Sequence, residues 1–253
     1  MRRFYQESWQ GIPFTRFSHL SFFHLAGPKF YAVFYEELFR RYKDWDDLPA
    51  AWRTNKRTDA RWLLGELDGL SRGDAEVPPR VLSIGSGVGY MEHVLLEERP
   101  DLELHVNEPS TVGMKWLRTH IPGDRIYIGL PPACLPADVL YDMIYLSTVD
   151  YGIPTRELQY LLRELRAQLA PGGVLVLLSA SLLEEDSVVG SFVNAIKIVI
   201  RAGLHYLGIR RQQFWGWRRT RQEYRELLRQ ADFAEVEDGW LDDGFETYWI
   251  RGR

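Results

Sequence analysis

Residues Val81-Leu82-Ser83-Ile84-Gly85-Ser86-Gly87-Val88-Gly89-Tyr90 join a short apolar run to glycine at every second position, and Glu108 follows 19 residues after Gly89. Few folds accommodate that order. The apolar run predicts a buried parallel strand, the glycines allow a sharp turn that approaches a ligand without a Cβ in the way, and Tyr90 to Glu98 predicts a helix. An acid at the tip of the next strand is placed to accept hydrogen bonds from both hydroxyls of a ribose. Glycine triplets also occur in plain tight turns, but strand, glycines, helix, strand and acid in succession point to a nucleotide-type cofactor.

The rest of the chain extends the alternation. Strands are expected at Leu102 to Val106, Arg125 to Ile128, Tyr141 to Leu146 and Gly173 to Ser179. Helices are expected at Val112 to Thr119 and at Pro154 to Leu169, the second with Leu158, Leu161, Leu162, Leu165 and Leu169 inward. This alternation implies a parallel sheet with helices on both faces. Thr220-Arg221-Gln222-Glu223 has capping-box spacing and opens a helix to Gln230. Two strands, Phe233 to Glu237 and Glu246 to Arg251, then form an antiparallel pair across a turn-rich connection. Upstream, Lys29 to Lys43 and Thr54 to Leu70 carry apolar stripes and predict a helical cap, followed by a polar, proline-ended linker. The expected organisation is a cap over residues 1–75 and a main domain over 76–253, with an insertion at about 182–219.

Composition narrows the function. The 253 residues are 45% hydrophobic, enough for one sizeable core, and a net charge of -4 argues against a general nucleic-acid binder. Cys134 is the sole cysteine, which excludes an intrachain disulfide and a cysteine-rich zinc site, and no histidine pair has metal-ligand spacing. No metal is therefore expected. Met1 to Ser8 lacks the apolar core of a secretory signal, and the longest apolar candidate, Val188 to Ile209, is broken by Asn194, Lys197, Arg201 and His205. A cytoplasmic setting without a membrane span fits best.

Three landmarks together resemble the class I S-adenosylmethionine-dependent methyltransferases of the small-molecule type. They are the glycine loop, the acid in Val106-Asn107-Glu108-Pro109-Ser110, and Leu169-Ala170-Pro171-Gly172-Gly173-Val174 ahead of the fifth strand. The resemblance covers roughly Arg80 to Ile250. It implies a Rossmann-like α/β fold: a seven-stranded, mostly parallel sheet with an antiparallel last strand, helices on both faces, a helical N-terminal cap and an inserted helix after strand five. It also implies S-adenosylmethionine as cofactor. Carried over by position, Gly85, Ser86 and Gly87, flanked by Ser83 and Gly89, face the methionine part, and Glu108 with Pro109 binds the ribose. Leu130 and Pro131 lie near the adenine, and Ser147 faces the methyl group. The family usually has an acid where this chain has Ser83 and often an aspartate where it has Leu130; serine keeps one hydroxyl, whereas leucine only packs. A nicotinamide dinucleotide, the competing ligand, wants Gly-x-Gly-x-x-Gly, and position 90 here is tyrosine.

Methyl transfer from a sulfonium is an in-line displacement, in which a protein mainly aligns the reactants and adds a base where the acceptor must lose a proton. Asp150 and Tyr151, in the loop after the fourth strand, are candidates for acceptor contact; the alternative for Asp150 is that it only shapes the loop. His24, in the aromatic stretch Phe17 to Phe34, is the candidate base, with His19 beside it, although a histidine bonded within the cap is the commoner outcome. Glu92 and His93 read as solvated or packing residues. The insertion places Asn194, Lys197, Arg201 and His205 on one stripe of an apolar helix, and nine cations lie between Lys197 and Arg229. A lid over an anionic acceptor and a homodimer interface rank above a membrane-surface helix. Phe214-Trp215-Gly216-Trp217 offers either flat walls for a ring or an anchor to the core. The expected function is methylation of a small, anionic or glycosyl acceptor, on oxygen. Transfer of the cofactor's aminoalkyl chain is one alternative, and a non-catalytic binding subunit, suggested by Ser83 and Leu130, is another.

Overall fold

The structure, a computed structural model, describes residues 2–9, 12–13, 25–70, 77–183, 196–197, 199–200, 203–204, 206–209, 213–241 and 247–253. The chain begins with three short strands, β1 (Arg2–Gln6), β2 (Ser8–Trp9) and β3 (Ile12–Pro13), followed by the helices α1 (Pro28–Arg41) and α2 (Ala50–Asp68). The alternating part runs β4 (Arg80–Ile84), α3 (Tyr90–Glu98), β5 (Glu103–Glu108), β6 (Ile126–Ile128), β7 (Tyr141–Ser147), α4 (Thr155–Ala167) and β8 (Leu169–Ser179). It ends with β9 (Gln213–Arg218), α5 (Arg221–Gln230), β10 (Val236–Trp240) and β11 (Tyr248–Gly252).

Seven strands form one sheet in the order β10-β11-β8-β7-β4-β5-β6. The five central and edge strands from β8 to β6 pair in parallel, while β11 runs antiparallel to both β8 and β10. Successive side chains of a strand point to opposite faces. Val81, Met143, Val174 and Val176 therefore join the core beneath α2 and α3, with Leu63, Leu67 and Val94. Leu82, Ile144, Leu175 and Leu177 join the core beneath α4 and α5, with Leu158, Leu162 and Leu228. Burial on both faces is why β4 reads as an unbroken apolar run rather than an alternating one. The capping box at Thr220 forms as the spacing predicts: Thr220 Oγ1 accepts from the Glu223 amide at 3.2 Å, and Glu223 Oε2 accepts from the Thr220 amide at 2.9 Å.

Four local expectations need correction. The segment Val112 to Thr119 forms two single 3-10 turns, Gly113–Lys115 and Leu117–Thr119, in place of an α-helix; it is short, and its valine and glycine are weak helix formers. β8 starts at Leu169, four residues early, because Leu169 pairs with Tyr141 across a register shift. β10 carries on through Gly239 and Trp240, inside the expected turn-rich connection, because each has a partner on β11. β1 pairs antiparallel with β9, so Phe214 to Trp217 is a strand that ties the N-terminus to the end of the insertion. Of the inserted helix, 196–197, 199–200, 203–204 and 206 are helical, with Val199, Ile200 and Tyr206 exposed; Asn194, Arg201 and His205 lie outside the described residues. No helix among the described residues is long and apolar enough to cross a membrane.

Candidate functional site

The turn between β4 and α3 is held from below by the next strand: the amides of Gly85 and Ser86 donate to the Asn107 carbonyl at 2.8 and 3.0 Å. Gly85 and Gly89 have φ of +71° and +75°. A Cβ would stand 2.6 Å from Val149 Cγ2 at the first and 2.0 Å from Leu117 Cγ at the second, so glycine is required both for conformation and for space. Outside the turn, Trp45 Nε1 donates to the Val88 carbonyl at 2.8 Å. Trp45 also stacks on His93 with ring centroids 4.2 Å apart, which gives His93 a packing role. Burial, then the charge of His120, pushes the His93 pKa down.

Glu108 closes the far side of the turn. Its carboxylate is 3% exposed and accepts from the Gly87 amide (Oε2, 3.0 Å) and the Ser110 amide (Oε1, 3.0 Å). Burial pushes its pKa up to about 7 against those two donors, and the nearby charge of Glu92 adds to the rise. Glu108 faces a cavity of about 220 Å³ at the carboxyl ends of the parallel strands, where open parallel sheets place ligands. Of the residues singled out from the sequence, Ser83, Gly85, Ser86, Gly87, Glu108, Pro109, Leu130, Ser147 and Tyr151 line this cavity. Gly89 does not; it packs on Leu117 and starts α3. His24 lies outside the described residues.

Asp150 also stays away from the cavity. It is fully buried, and its Oδ2 accepts from the hydroxyls of Ser179, at 3.1 Å, and Tyr224. Arg219, itself buried, donates to the carbonyls of Asp150 (2.8 Å) and Ile153 (2.5 Å). Burial raises the Asp150 pKa, opposed first by the Tyr224 hydroxyl and then by the Arg219 charge. Of the two alternatives for Asp150, acceptor contact and loop shaping, these contacts fit the second. That loop presents Tyr151, whose ring stacks on Trp215 at 5.8 Å and meets Phe4 edge-on. Trp215 thereby acts as an anchor as well as a support for the cavity wall.

Two charged residues belong to the cavity wall beyond the sequence reading: Lys56, which that reading does not single out, and Glu92, whose expected solvated or packing role is corrected. Glu92, in the first turn of α3, is 2% exposed; its Oε1 accepts from Ser83 Oγ at 2.5 Å and from the Tyr145 hydroxyl at 2.7 Å. Its other oxygen, Oε2, has no partner among the described residues. Burial raises the Glu92 pKa, opposed by Ser83, by Tyr145 and, more weakly, by the charge of Lys56. Lys56, on α2, is 7% exposed; its Nζ donates to Asp59 Oδ2 and to Ser147 Oγ, both at 2.8 Å. The available signal was positional: Lys56 and Asp59 share the i, i+3, i+4 stripe of Ala60, Leu63 and Leu67, which an exposed ion pair would not. The remaining titratable lining is phenolic, and burial raises the pKa of Tyr31, Tyr35 and Tyr151 alike. Among the described residues no histidine lines the cavity and no group of three acids, histidines or cysteines is arranged to hold a metal.

Solved structures supply the comparison. A putative O-methyltransferase from Nostoc punctiforme is similar with a TM-score of 0.60 at 15% identity, covering 93% of this chain and 63% of its own. Human N-acetylserotonin methyltransferase in complex with SAM gives 0.52 at 16%, covering 90% and 56%. The chain has a Rossmann-like methyltransferase fold. An O-methyltransferase family 2 protein from Planctomyces limnophilus, in complex with apigenin, gives 0.51 at 17%, covering 80% and 64%. The chain thus spans less than two thirds of the length of these three proteins. No family model matches the sequence, and no curated protein does.

Proposed function

We propose that the protein is an S-adenosylmethionine-dependent methyltransferase that methylates an oxygen of a small acceptor. The observation that carries this reading is Glu108: a buried carboxylate at the tip of β5, held by two backbone amides and opening onto a cavity floored by the glycine turn. Each of its oxygens keeps acceptor capacity after taking one amide, which matches two hydroxyls on neighbouring carbons. Leu130 and Pro131 add an apolar edge suited to a purine, and the unpartnered Oε2 of Glu92 supplies a further buried acceptor in a residue that lines the cavity. These residues fit an adenosyl amino acid. When bound, that cofactor supplies an electrophilic methyl group on its sulfonium.

The chain's own residues then do three things. Glu108 would hold the ribose through the two ribose hydroxyls. Trp9, Tyr31, Tyr35 and Tyr151 line the cavity with aromatic surface, excluding water and offering flat walls to the acceptor. The raised pKa values of Tyr31 and Tyr151 keep them neutral at physiological pH, so they serve as hydrogen-bond donors and not as bases. An aromatic ring is the acceptor this wall suits; of the neighbours, one is named for N-acetylserotonin and another holds apigenin. Three of the cations between Lys197 and Arg229 are engaged within the protein: Arg219 binds loop carbonyls, and Arg221 and Arg225 pair with Asp238.

The test is a transfer assay with methyl-deuterated S-adenosylmethionine and a panel of hydroxylated aromatic compounds, read by mass spectrometry. Appearance of a labelled methyl ether together with S-adenosylhomocysteine supports the reading. Cofactor binding without turnover across the panel favours the non-catalytic binding subunit instead.

A further inference from the structure

Resting on that reading of the ligand, we infer that Glu92 and Lys56 form a subsite for an α-amino-acid zwitterion, with Glu92 Oε2 accepting from the α-ammonium and Lys56 Nζ donating to the α-carboxylate. Both residues line the same cavity as Glu108. The sheet order β7-β4-β5 sets the spacing. Ser147, which holds Lys56, ends β7; Ser83, which holds Glu92, lies in β4; and Glu108 ends β5. Two strand spacings separate the outer members, roughly 10 Å. That span suits a ligand with its ribose at Glu108 and its amino-acid end across β4 toward β7.

The chemistry of each group points the same way. Glu92, which lines the cavity, is held through one oxygen by two hydroxyl donors, while the other oxygen is buried and unpartnered among the described residues. A buried acceptor left without a donor is costly, and a ligand N–H removes that cost. Lys56 has three donors and spends two, on Asp59 and Ser147, so its third is available to an oxygen in the cavity. A carboxylate and an ammonium in one cavity wall complement a ligand carrying both charges on one α-carbon, and discriminate against one carrying neither. The arrangement also accounts for Ser83. The acid that resembling enzymes carry at that position is here nine residues later on α3, and Ser83 is the hydroxyl that pins it.

The experiment is calorimetric titration of the intact chain, and of its Glu92→Gln and Lys56→Met variants, with S-adenosylhomocysteine and with methylthioadenosine, which lacks the amino-acid end. Each variant is expected to weaken S-adenosylhomocysteine roughly tenfold or more, and to leave methylthioadenosine within about twofold. Glu92→Gln preserves shape and the Ser83 and Tyr145 contacts, so it reports even if Lys56→Met fails to fold. Equal weakening of both probes, or unchanged S-adenosylhomocysteine binding in Glu92→Gln, overturns the subsite while leaving the cofactor reading standing. Failure of the unaltered chain to bind either probe overturns both.

Discussion

Replacing Glu108 with glutamine will change how the stability of the ligand-free protein depends on pH. The folded chain holds the Glu108 proton more tightly than the unfolded chain does, because the 3%-exposed carboxyl is desolvated and two amide donors only partly compensate. Stability from this group is therefore fully present below the ordinary value of 4.5 and is lost as pH rises through about 7. The shift from 4.5 to about 7, at about 1.4 kcal/mol per unit, corresponds to roughly 3 kcal/mol across that window. Glutamine does not titrate. It also presents one oxygen where the carboxylate had two, a loss of about 1–2 kcal/mol that is independent of pH. The assay is urea unfolding followed by tryptophan fluorescence at several pH values from about 5 to about 8, for both proteins. The stability of the unaltered chain should fall relative to the variant by roughly 2.5 kcal/mol between those limits. Parallel profiles would refute the reasoning, since they would mean that Glu108 is already ionised in the folded chain at the acidic end.

Gly89→Ala should lose about 2–4 kcal/mol in the same unfolding assay, combining a left-handed φ with a Cβ driven into Leu117; a loss under about 0.5 kcal/mol would contradict the turn geometry. Arg219→Met removes two donors from the Asp150 and Ile153 carbonyls and leaves Asp150 without its cation. We expect a cost of about 3–5 kcal/mol, and unchanged stability would show that this loop is held in some other way. Trp45→Phe keeps an aromatic ring against His93 but strips the donor from the Val88 carbonyl. It should cost about 1–2 kcal/mol, checked by thermal unfolding against the unaltered chain.

Local periodicity made most of the sheet legible. The leucines of α4 recur at helical spacing and are buried in the structure, and the capping box at Thr220 is visible as four letters. β1 was invisible because its partner β9 lies more than 200 residues away, and a five-residue strand without alternation leaves no local trace. The same separation hid the roles of individual side chains. Asp150 was found, but its direction depends on Ser179, Arg219 and Tyr224, which belong to elements 29 to 74 residues distant. Glu92 sits in a helix ending in the acids Glu97 and Glu98, both of which pair with Arg57, and so it resembled another surface carboxylate. Only the Tyr145 hydroxyl, arriving from β7, and Ser83 from β4 turn it inward. The glycine turn and Glu108 stood out because the turn encodes its own geometry in consecutive residues, whereas Lys56, Glu92 and the hydroxyls that hold them come from separate elements.

The central claim is that the cavity at the glycine turn binds an adenosyl amino acid with its ribose on Glu108. Calorimetric titration of the intact chain with S-adenosylhomocysteine tests it most directly. The account predicts one saturable site, weakened in Glu108→Ala by about 1.5–3 kcal/mol, or roughly 10- to 150-fold. No binding at millimolar concentrations, or an affinity that Glu108→Ala leaves unchanged, would contradict it.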